Sequence, residues 1–419
     1  MQTQGQLYKR LSRQVGFWII APEHSPTKWV QGPGRMRGLP QKNIAIMAIL
    51  SPNPKPVLFR VTNNLKIGGV QRRLRALLPL LTDRYDVHVV TYKERGVFFD
   101  ELAQLGVHVH FLPSKGHWDP VAIWKLARLF RRHHADIVHT HSFGGNIFGI
   151  LAAALARVPV RIGQVHSRGL HWYGKSKFRR FRQILEESVV HALFSHKILF
   201  VSEESLEYFQ KKTHLPNARL SVLHNGLSLP ENQQPFLKSA FNLPEDRLLV
   251  GFVGRLTPKK GIPLFLRFIQ RIIKSENDTF HFVIIGSGNI SSYKEMAKKL
   301  NILQFITFTG EIQDIHRVYP LLDVLMFTSK AEHEGMPGVV LEACAHGLPI
   351  LAQKSRPIQE ISAYYSRIFY LNDAETPEVQ IRQALNSPPA DLAMFTSEFS
   401  ITAMHQRTVK IYQELLGKK

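Results

Sequence analysis

Residues 332–350 read EHEGMPGVVLEACAHGLPI, with two glutamates, Glu334 and Glu342, on either side of a glycine- and proline-rich turn. The apolar run DVLMFTS just before it predicts a buried strand. A helix is predicted to begin near Gly338 and to end before Gly347, because glycine suits the residue that follows a helix. The stretch therefore predicts a strand, a loop and a helix, with Glu334 at the carboxyl end of the strand.

The rest of the chain repeats this alternation of strand and helix. Apolar runs such as PVLFRVT (56–62) and RLLVGFV (247–253) alternate with segments whose apolar residues recur at helical spacing. This pattern is typical of a parallel sheet covered by helices on both faces, with ligands outside the carboxyl ends of the strands. A polar, proline-bearing stretch at 228–246 interrupts the series and predicts a linker. The sequence thus predicts two similar α/β domains and a C-terminal helix, at 56–228, 229–395 and 396–419.

Composition limits the classes of protein that fit. The chain has 419 residues, 44% of them hydrophobic, which is enough for two or three buried cores. The single cysteine, Cys344, leaves no partner for an intramolecular disulfide and suits a reducing compartment. No apolar run reaches about 18 residues, so no transmembrane helix is predicted. We also expect no secretory signal, because no small-residue cleavage site follows the short run NIAIMAIL.

The net charge of +22 lies almost entirely in residues 1–240, which hold 34 Lys and Arg against 14 Asp and Glu. A basic half of this kind favours an anionic partner, such as nucleic acid, an anionic membrane face or a phosphorylated ligand. Residues 1–55 are rich in Gly, Pro, Gln and basic residues. They predict a poorly ordered or loosely docked extension, and the alternative is a basic, aromatic arm that lies on a membrane surface.

The start of the helix predicted near Gly338 favours binding of an anion. Its first backbone N–H groups lack partners within the helix, and the helix dipole is positive at that end. A phosphate there would lie between two carboxylates that hold neutral hydroxyls. The residues concerned are Gly335, Met336, Pro337, Gly338 and Val339.

Two loops supply further candidates. GRLTPKKG (254–261) directly follows a predicted strand, and cations such as Arg255 and Lys260 at the carboxyl end of a strand suit a diphosphate. In NNLKIGGVQRR (63–73), Gly68 and Gly69 precede a predicted helix. Such a pair allows a ligand to approach the backbone closely, although an ordinary turn fits it equally well.

Histidines provide a weaker signal. Two parallel-sheet domains face to face would form a cleft between them. His166, in QVHS, ends a predicted strand that faces this cleft, and a purely structural role fits it as well. His139 and His141 are two residues apart on a predicted strand and share a face. No cysteine is near them and no carboxylate lies at ligand spacing, so we do not expect a metal there.

Taken together, these motifs resemble a known family. GGVQR, LFVSEE, VLHNG, VGRLTPKKG, IIGSG and HEGMPGVVLEACAHGLPILA follow one another in the order seen in the retaining glycosyltransferases of family 4, also called group 1. The resemblance covers residues 56–417. The two glutamates within EGMPGVVLEA carry most of its specificity. It implies a GT-B fold, in which two Rossmann-like parallel-sheet domains face each other across a cleft.

The resemblance also implies roles. Glu334 would hold the hydroxyls of the donor sugar near its anomeric carbon, and Glu342 would hold the ribose hydroxyls of the nucleotide. Arg255 and Lys260 would bind the diphosphate together with the backbone at 336–340. Gly68 and Gly69 would pack against the donor phosphates, and His166 would lie beside the sugar on the acceptor side.

The chemistry of the residues agrees with those roles. The leaving diphosphate gains negative charge, which cations and a helix start can neutralise without a metal. The sequence has no Asp-x-Asp pair to hold a metal, so we expect neither metal nor cofactor. A protein nucleophile is not required, because the leaving phosphate oxygen can deprotonate the acceptor hydroxyl on the same face.

The chain departs from the family pattern at two places. Gln71 stands where the family often has Glu, and Ser355 and Arg356 stand where it often has a glycine pair. We hypothesise that Arg356 binds an anionic sugar or acceptor phosphate.

The stretch RGLHWYGKSKFRRFRQ (168–183) mixes basic and aromatic residues. It fits a solvated loop and helix face, a dock for anionic lipid or, less specifically, a site for single-stranded nucleic acid. A lipid-linked acceptor would need such a dock, so we expect an anionic membrane surface and no nucleic acid as a partner.

The sequence thus predicts a metal-independent, retaining glycosyltransferase that uses a nucleotide-diphosphate sugar and a lipid-linked or polysaccharide acceptor. We expect it in the cytoplasm, peripheral on the inner face of the plasma membrane, in cell-envelope glycan synthesis. Two other classes remain open. One is a nucleotide-sugar epimerase or hydrolase of the same fold, and the other is a non-catalytic relative that binds glycan or membrane.

Overall fold

A computed structural model describes the chain over residues 54–167, 176–213, 215–228, 233–275, 279–330 and 334–418. Every element below belongs to one compact unit, Lys55–Lys419. The extension predicted for residues 1–55 lies outside the described residues except for its last two. Part of the linker predicted at 228–246 lies outside them as well.

Seven parallel strands form the sheet of the first lobe. They are β1 (Val57–Thr62), β2 (Asp86–Thr91), β3 (His108–Phe111), β4 (Ile137–His141), β5 (Val160–Val165), β6 (Lys197–Phe200) and β7 (Leu220–Val222). Their order in the sheet is β3-β2-β1-β4-β5-β6-β7. The order reverses between β1 and β4, and this switch point opens a crevice at the carboxyl ends of the strands.

Helices cover both faces of this sheet, which is why the central strands β1 and β4 are buried on both faces. The helices are α1 (Gly69–Leu81), α2 (Phe98–Gln104), α3 (Pro120–Arg132), α4 (Ser142–Leu155), α5 (Lys177–Phe194) and α6 (Glu203–Thr213). The apolar spacing of WKLARLFRRHH (124–134) predicts a helix that begins at residue 124. α3 begins earlier, at Pro120, because the carboxylate of Asp119 accepts hydrogen bonds from the amides of Val121 and Ala122, each at 3.1 Å.

The second lobe repeats the design with six parallel strands. They are β8 (Leu248–Val253), β9 (Phe280–Ile285), β10 (Ile306–Gly310), β11 (Val324–Phe327), β12 (Ile350–Ala352) and β13 (Ile368–Tyr370). Their order is β10-β9-β8-β11-β12-β13, so the switch point lies between β8 and β11. The helices are α7 (Ile262–Ile273), α8 (Ile290–Lys299), α9 (Gly338–Ala345), α10 (Arg356–Ser362), α11 (Pro377–Leu385) and α12 (Ala393–Phe399).

These two sheets confirm the predicted architecture of two parallel-sheet α/β domains. The run KILFVSEE (197–204) predicts a strand of that length, but β6 ends at Phe200 and α6 begins at Glu203. No strand is predicted at β13, because three residues are too few to show a pattern. Across the described part of the chain, every helix is too short or too polar to span a bilayer.

The C-terminal helix α13 (Ile401–Leu416) returns to the first lobe. The hydroxyl of Tyr412 lies 2.8 Å from Nδ1 of His139 in β4, and both side chains are buried. The Tyr412 ring also meets Tyr85 edge to face, with centroids 5.5 Å apart. Met404 and Val409 join the apolar core of the same lobe. The C-terminal helix therefore closes the first lobe, which contains strands β1 to β7.

Replacing Tyr412 by Phe tests this closure. Nδ1 of His139 would lose its partner in a site closed to water, so we expect the free energy of unfolding to fall by about 1–3 kcal/mol. Chemical denaturation followed by circular dichroism measures the change. Tyr364→Phe is the matched control, because Tyr364 packs its ring on Phe399 but its hydroxyl has no hydrogen bond to the described residues. An equal loss in both variants would contradict the argument.

Candidate active site

Glu334 lies between β11 and α9, at the switch point of the second sheet. Its Oε1 atom accepts hydrogen bonds from Nζ of Lys260 at 2.5 Å and from Oγ of Ser329 at 2.6 Å. Only 11% of the Glu334 side chain is exposed. Glu334 and Lys260 also line one cavity with Pro337 and Gly338 at the start of α9. The structure thus brings these four predicted residues together.

Lys260 is positioned by the loop that follows β8. Gly261 has a φ of +78°, and a Cβ atom there would lie 1.9 Å from the carbonyl oxygen of Thr328. Only glycine allows the loop to close against the end of β11, where the Thr328 hydroxyl donates to the Gly261 carbonyl at 3.0 Å. Arg255 begins the same loop and is exposed, so its guanidinium is open to solvent.

Glu342 lies about one turn into α9. Its Oε2 atom accepts a hydrogen bond from the Tyr319 hydroxyl at 2.8 Å, and its Oε1 atom lies 4.0 Å from Nη1 of Arg72. Burial raises the pKa of Glu342, while the Tyr319 hydroxyl and two arginines of α1 oppose that rise. Burial, followed by this carboxylate, raises the pKa of Tyr319 well above its usual value, so the phenol remains a hydrogen-bond donor.

The start of α9 has no side-chain cap. Pro337 precedes the helix and offers no capping group, so the amides of Gly338 and Val339 lack partners within the helix. Arg73, from α1 of the first lobe, reaches this end, since a Cβ atom at Gly338 would lie 3.1 Å from its Nη2 atom. Burial lowers the pKa of Arg73 to about 10, with Glu342 opposing the shift, so the side chain stays charged at neutral pH. The helix start predicted to hold an anion therefore faces a cation of the other lobe.

Sequence reasoning missed Arg72, Arg73 and Tyr319. The two arginines had a local signal, because they stand in GGVQRR directly after the glycine pair. Tyr319 had none, since it is 23 residues from Glu342 and reaches it only through the packing of the second lobe.

The glycine pair lies at the start of α1. Gly68 has an extended backbone and Gly69 is the first helical residue. The Gly69 carbonyl accepts a hydrogen bond from Nη1 of Arg73 at 2.6 Å. A Cβ atom at Gly68 would lie 2.5 Å from Oε1 of Gln71. The pair therefore gives room to side chains of α1 at the cleft, and its contact with a donor phosphate stays a prediction.

His166, directly after β5, ends a buried chain of hydrogen bonds. Its Nε2 atom lies 2.9 Å from Nδ1 of His141, whose Nε2 atom lies 3.0 Å from Nη1 of Arg60. A guanidinium only donates, so His141 accepts at Nε2 and donates from Nδ1. His166 therefore accepts at Nε2 and carries its own proton on Nδ1. Burial, followed by the charges of Arg73 and Arg60, lowers the pKa of His166 to about 3, so the ring is neutral.

The two lobes touch at the cleft. A Cβ atom at Gly335 would lie 2.2 Å from the carbonyl oxygen of His166, so the loop before α9 packs directly on the first lobe. Arg356, at the start of α10, donates from two nitrogens to the carboxylate of Glu207 in α6, at 2.5 and 2.8 Å. Binding of an anionic substrate group by Arg356 stays a hypothesis and would require this pair to open.

Comparison with known proteins adds to this geometry. Sequence models of two families match the chain, Glycosyltransferase Family 4 over residues 67–230 and Glycosyl transferases group 1 over residues 233–397. Together the two matches span both lobes.

Individual relatives are similar over most of their length. The putative glycosyltransferase EpsF of Bacillus subtilis is 26% identical over 71% of this chain and 79% of its own. The Escherichia coli UDP-Gal:alpha-D-GlcNAc-diphosphoundecaprenol alpha-1,3-galactosyltransferase is 27% identical over 68% of this chain and 76% of its own. The crystal structure of Anabaena Alr3699/HepE with UDP and glucose superposes with a TM-score of 0.71 at 16% identity, covering 86% of this chain and 100% of that one. The structural likeness confirms the GT-B fold.

Gly335→Ala tests the contact between the lobes. Its Cβ atom would lie 2.2 Å from a backbone oxygen of His166, which cannot move aside without moving the chain. We expect the lobes to separate and the melting temperature to fall by about 4 °C. Small-angle X-ray scattering and differential scanning fluorimetry measure both effects. Gly116→Ala is the control, because nothing lies within 4 Å of a Cβ atom there. An unchanged scattering profile and melting temperature in Gly335→Ala would argue against the contact.

Proposed function

Because the chain belongs to the group 1 glycosyltransferases and is itself a glycosyltransferase, we propose that it moves a sugar, with retention of configuration, from a nucleotide-diphosphate sugar to a hydroxyl of a lipid-linked or polysaccharide acceptor. The E. coli relative, whose name specifies a diphosphoundecaprenol acceptor, supports the acceptor class. We further propose that the product is a cell-envelope glycan. The observation that carries the proposal is the uncapped start of α9, with one carboxylate on each side of it and cations of both lobes around it.

Each group at this helix start has a role in the proposal. Glu334, held by Lys260 and Ser329, binds hydroxyls of the donor sugar. Glu342, one turn into α9, binds the ribose hydroxyls. The diphosphate lies between the two carboxylates on the free amides of α9, where the helix dipole favours an anion.

Charge stabilisation of the leaving group is the main catalytic task. As the bond from the anomeric carbon to the phosphate oxygen breaks, negative charge grows on the diphosphate. Lys260, Arg255 and the amides of α9 stabilise that charge. Arg73 adds a further positive group from the opposite lobe and already lies at Gly338. Since fixed protein groups supply this stabilisation, we propose that transfer needs no metal ion and no cofactor.

Retention follows if the acceptor attacks from the face that the diphosphate leaves. The bond from the acceptor oxygen to the anomeric carbon forms on that face, and the proton of the acceptor hydroxyl passes to the leaving phosphate oxygen. No protein nucleophile takes part. His166, neutral and protonated at Nδ1, donates a hydrogen bond to the donor sugar on the acceptor side.

A lipid-linked acceptor requires a surface that docks on a membrane, and α5 offers one. Phe178, Phe181 and Leu185 follow one face of the helix and are 73%, 63% and 51% exposed. Val189 and Leu193 continue the same face and are exposed as well. The first two turns also carry basic side chains, namely Lys177, Arg179, Arg180 and Arg182. An apolar face beside basic residues suits anionic lipid. We propose peripheral binding to the inner face of the plasma membrane through α5.

The dock was predicted for residues 168–183, of which 168–175, with Trp172 and Tyr173, lie outside the described residues. The described part, from Ser176 onward, forms the start of α5 and extends the apolar face beyond the predicted stretch.

Glu334→Gln and Lys260→Ala test the transfer site. Each removes one partner of the pair at the cavity, so we expect kcat/KM for sugar transfer to fall by at least about 100-fold while the protein remains folded. Lys298→Ala, on the exposed surface of α8, is the control for loss of a lysine and should keep full activity. Full activity in either site variant would refute the assignment.

Two further measurements identify the donor and separate the two alternative functions. A thermal-shift screen against UDP-, GDP-, ADP- and CMP-sugars identifies the nucleotide. Release of nucleotide or of an epimer without any acceptor would indicate a hydrolase or epimerase. Absence of nucleotide binding together with a dispensable Glu334 would indicate a non-catalytic relative.

Phe181→Asp combined with Leu185→Asp tests the membrane dock. Both changes place a charge on the apolar face of α5, so we expect sedimentation with anionic vesicles to fall about tenfold and activity on a soluble acceptor to stay unchanged. Leu237→Asp is the control, because Leu237 is 74% exposed in the second lobe, outside α5. Equal binding of the unmodified protein to neutral vesicles, or no loss in high salt, would contradict an electrostatic dock.

A further inference from the structure

Four histidines and an aspartate cluster at the amino-terminal ends of β2 and β3. Asp86 and His88 are two residues apart on β2 and share one face of the sheet, and His88 lies beside His108 of β3 in register. The rings of His110 and His133 pack on His88, with centroids 5.2 and 4.8 Å from its own. Since the cleft lies at the carboxyl ends of the same parallel strands, this cluster is at the far edge of the sheet.

The spacing of three of these side chains is that of metal ligands. Nε2 of His88 lies 3.3 Å from Oδ2 of Asp86, and Nε2 of His108 lies 3.2 Å from Oδ1 of the same carboxylate. The three groups offer ligand atoms within 4.8 Å of one another. Two ligands bonded at about 2.0–2.1 Å to a tetrahedral ion are separated by about 3.3 Å. The two distances between Asp86 and the histidines are therefore already close to those that an ion would impose.

His88 provides a second, independent observation. It is 2% exposed, and its Nε2 atom is buried without a hydrogen-bond partner among the described atoms, although Asp86 is near. Its Nδ1 atom lies 2.9 Å from Nε2 of His110. When Nδ1 of His88 donates to His110, Nε2 of His88 presents a lone pair that can bind a metal ion. A hydrogen bond from the other ring nitrogen fixes the tautomer and orientation of a metal-binding imidazole in this way.

We propose that Asp86, His88 and His108 bind one divalent transition-metal ion of the Zn²⁺ type, with a water molecule at the fourth position. Two imidazoles and one carboxylate form a ligand set that Zn²⁺ accepts. The side chains of His108 and Asp86 are 61% and 42% exposed, so an ion can enter from solvent. β3 is the edge strand of the sheet, and the ion would join it to β2. The site is structural and separate from the transfer site.

Other histidines of the first lobe do not compete for the ion. His139 and His141 contact Tyr412 and Arg60 in a fully buried part of the sheet. Among the described residues, the only group with the spacing of three metal ligands is the one at Asp86.

Isothermal titration of the full-length protein tests the site. The titration uses protein without a histidine tag, because a tag would itself bind Zn²⁺, and the protein is first stripped of metal with a chelator. We expect ZnCl₂ to bind at one site per chain with a dissociation constant of about 1 µM or below. Saturating Zn²⁺ should raise the melting temperature by at least about 3 °C. Co²⁺ in its place should show the visible absorption of a tetrahedral ion. No binding of either ion would overturn the proposal.

Matched variants assign the ligands. His108→Ala and Asp86→Asn change exposed side chains, so both should fold and should weaken Zn²⁺ binding at least about tenfold. His134→Asn is the control, because His134 is an exposed histidine near the cluster whose positive φ of 50° asparagine tolerates. Unchanged affinity in His108→Ala, or an equal loss in His134→Asn, would overturn the assignment.

A chelator separates this site from the transfer reaction. Below the melting temperature we expect chelation to leave the transfer rate unchanged while the melting temperature falls. The variant His108→Ala lacks the Zn²⁺ site. If a chelator inhibits transfer by this variant, the result would contradict metal-independent transfer but not the proposal of a Zn²⁺ site at Asp86.

Discussion

A guanidinium at an uncapped helix start is the interaction on which the cleft depends. The start of α9 carries a partial positive charge, so Arg73 beside Gly338 is repelled unless a nearby anion offsets it. Glu342 supplies that negative charge one turn into the helix, with only 13% of its side chain exposed. Arg72 and Lys260 add further positive charge to the same region. The site therefore holds an excess of positive groups, and a diphosphate is the kind of ligand that removes such an excess.

The carboxylates of Glu334 and Glu342 are stabilised in different ways, and this difference argues against an acid–base pair. Glu334 forms an ion pair with Lys260 and accepts from Ser329, so an incoming hydroxyl shares it with a cation. Glu342 is buried and accepts from the neutral phenol of Tyr319. A general acid and base need proton exchange at one reacting atom. Two carboxylates on opposite sides of a helix start are better suited to the two ends of one extended ligand.

Local sequence patterns predicted the features that depend only on residues close together in the chain, such as the ends of a helix. α9 begins at Gly338 as predicted, and Gly347 follows its end with a φ of +72°, because only the backbone conformation of a few residues decides both ends. The sequence could not place Arg73 beside α9, because that contact depends on how the lobes pack. The pair of Tyr412 with His139, 273 residues apart, was hidden for the same reason. Pattern reasoning thus found the groups of each loop, while the packing of the two lobes selected their partners.

The contacts between the lobes differ in stiffness, and this difference decides what can move. Gly335 packs on the backbone of His166, where no side chain can rotate out of the way. The pair of Arg356 and Glu207 is exposed on both sides, at 55% and 37% of the side chains. Exposed ion pairs add little stability because water and salt compete for both partners. Shape therefore positions the lobes at the cleft, and the charged contact at its rim breaks easily. Any rigid-body motion between the lobes would therefore break the exposed ion pair more readily than the backbone contact.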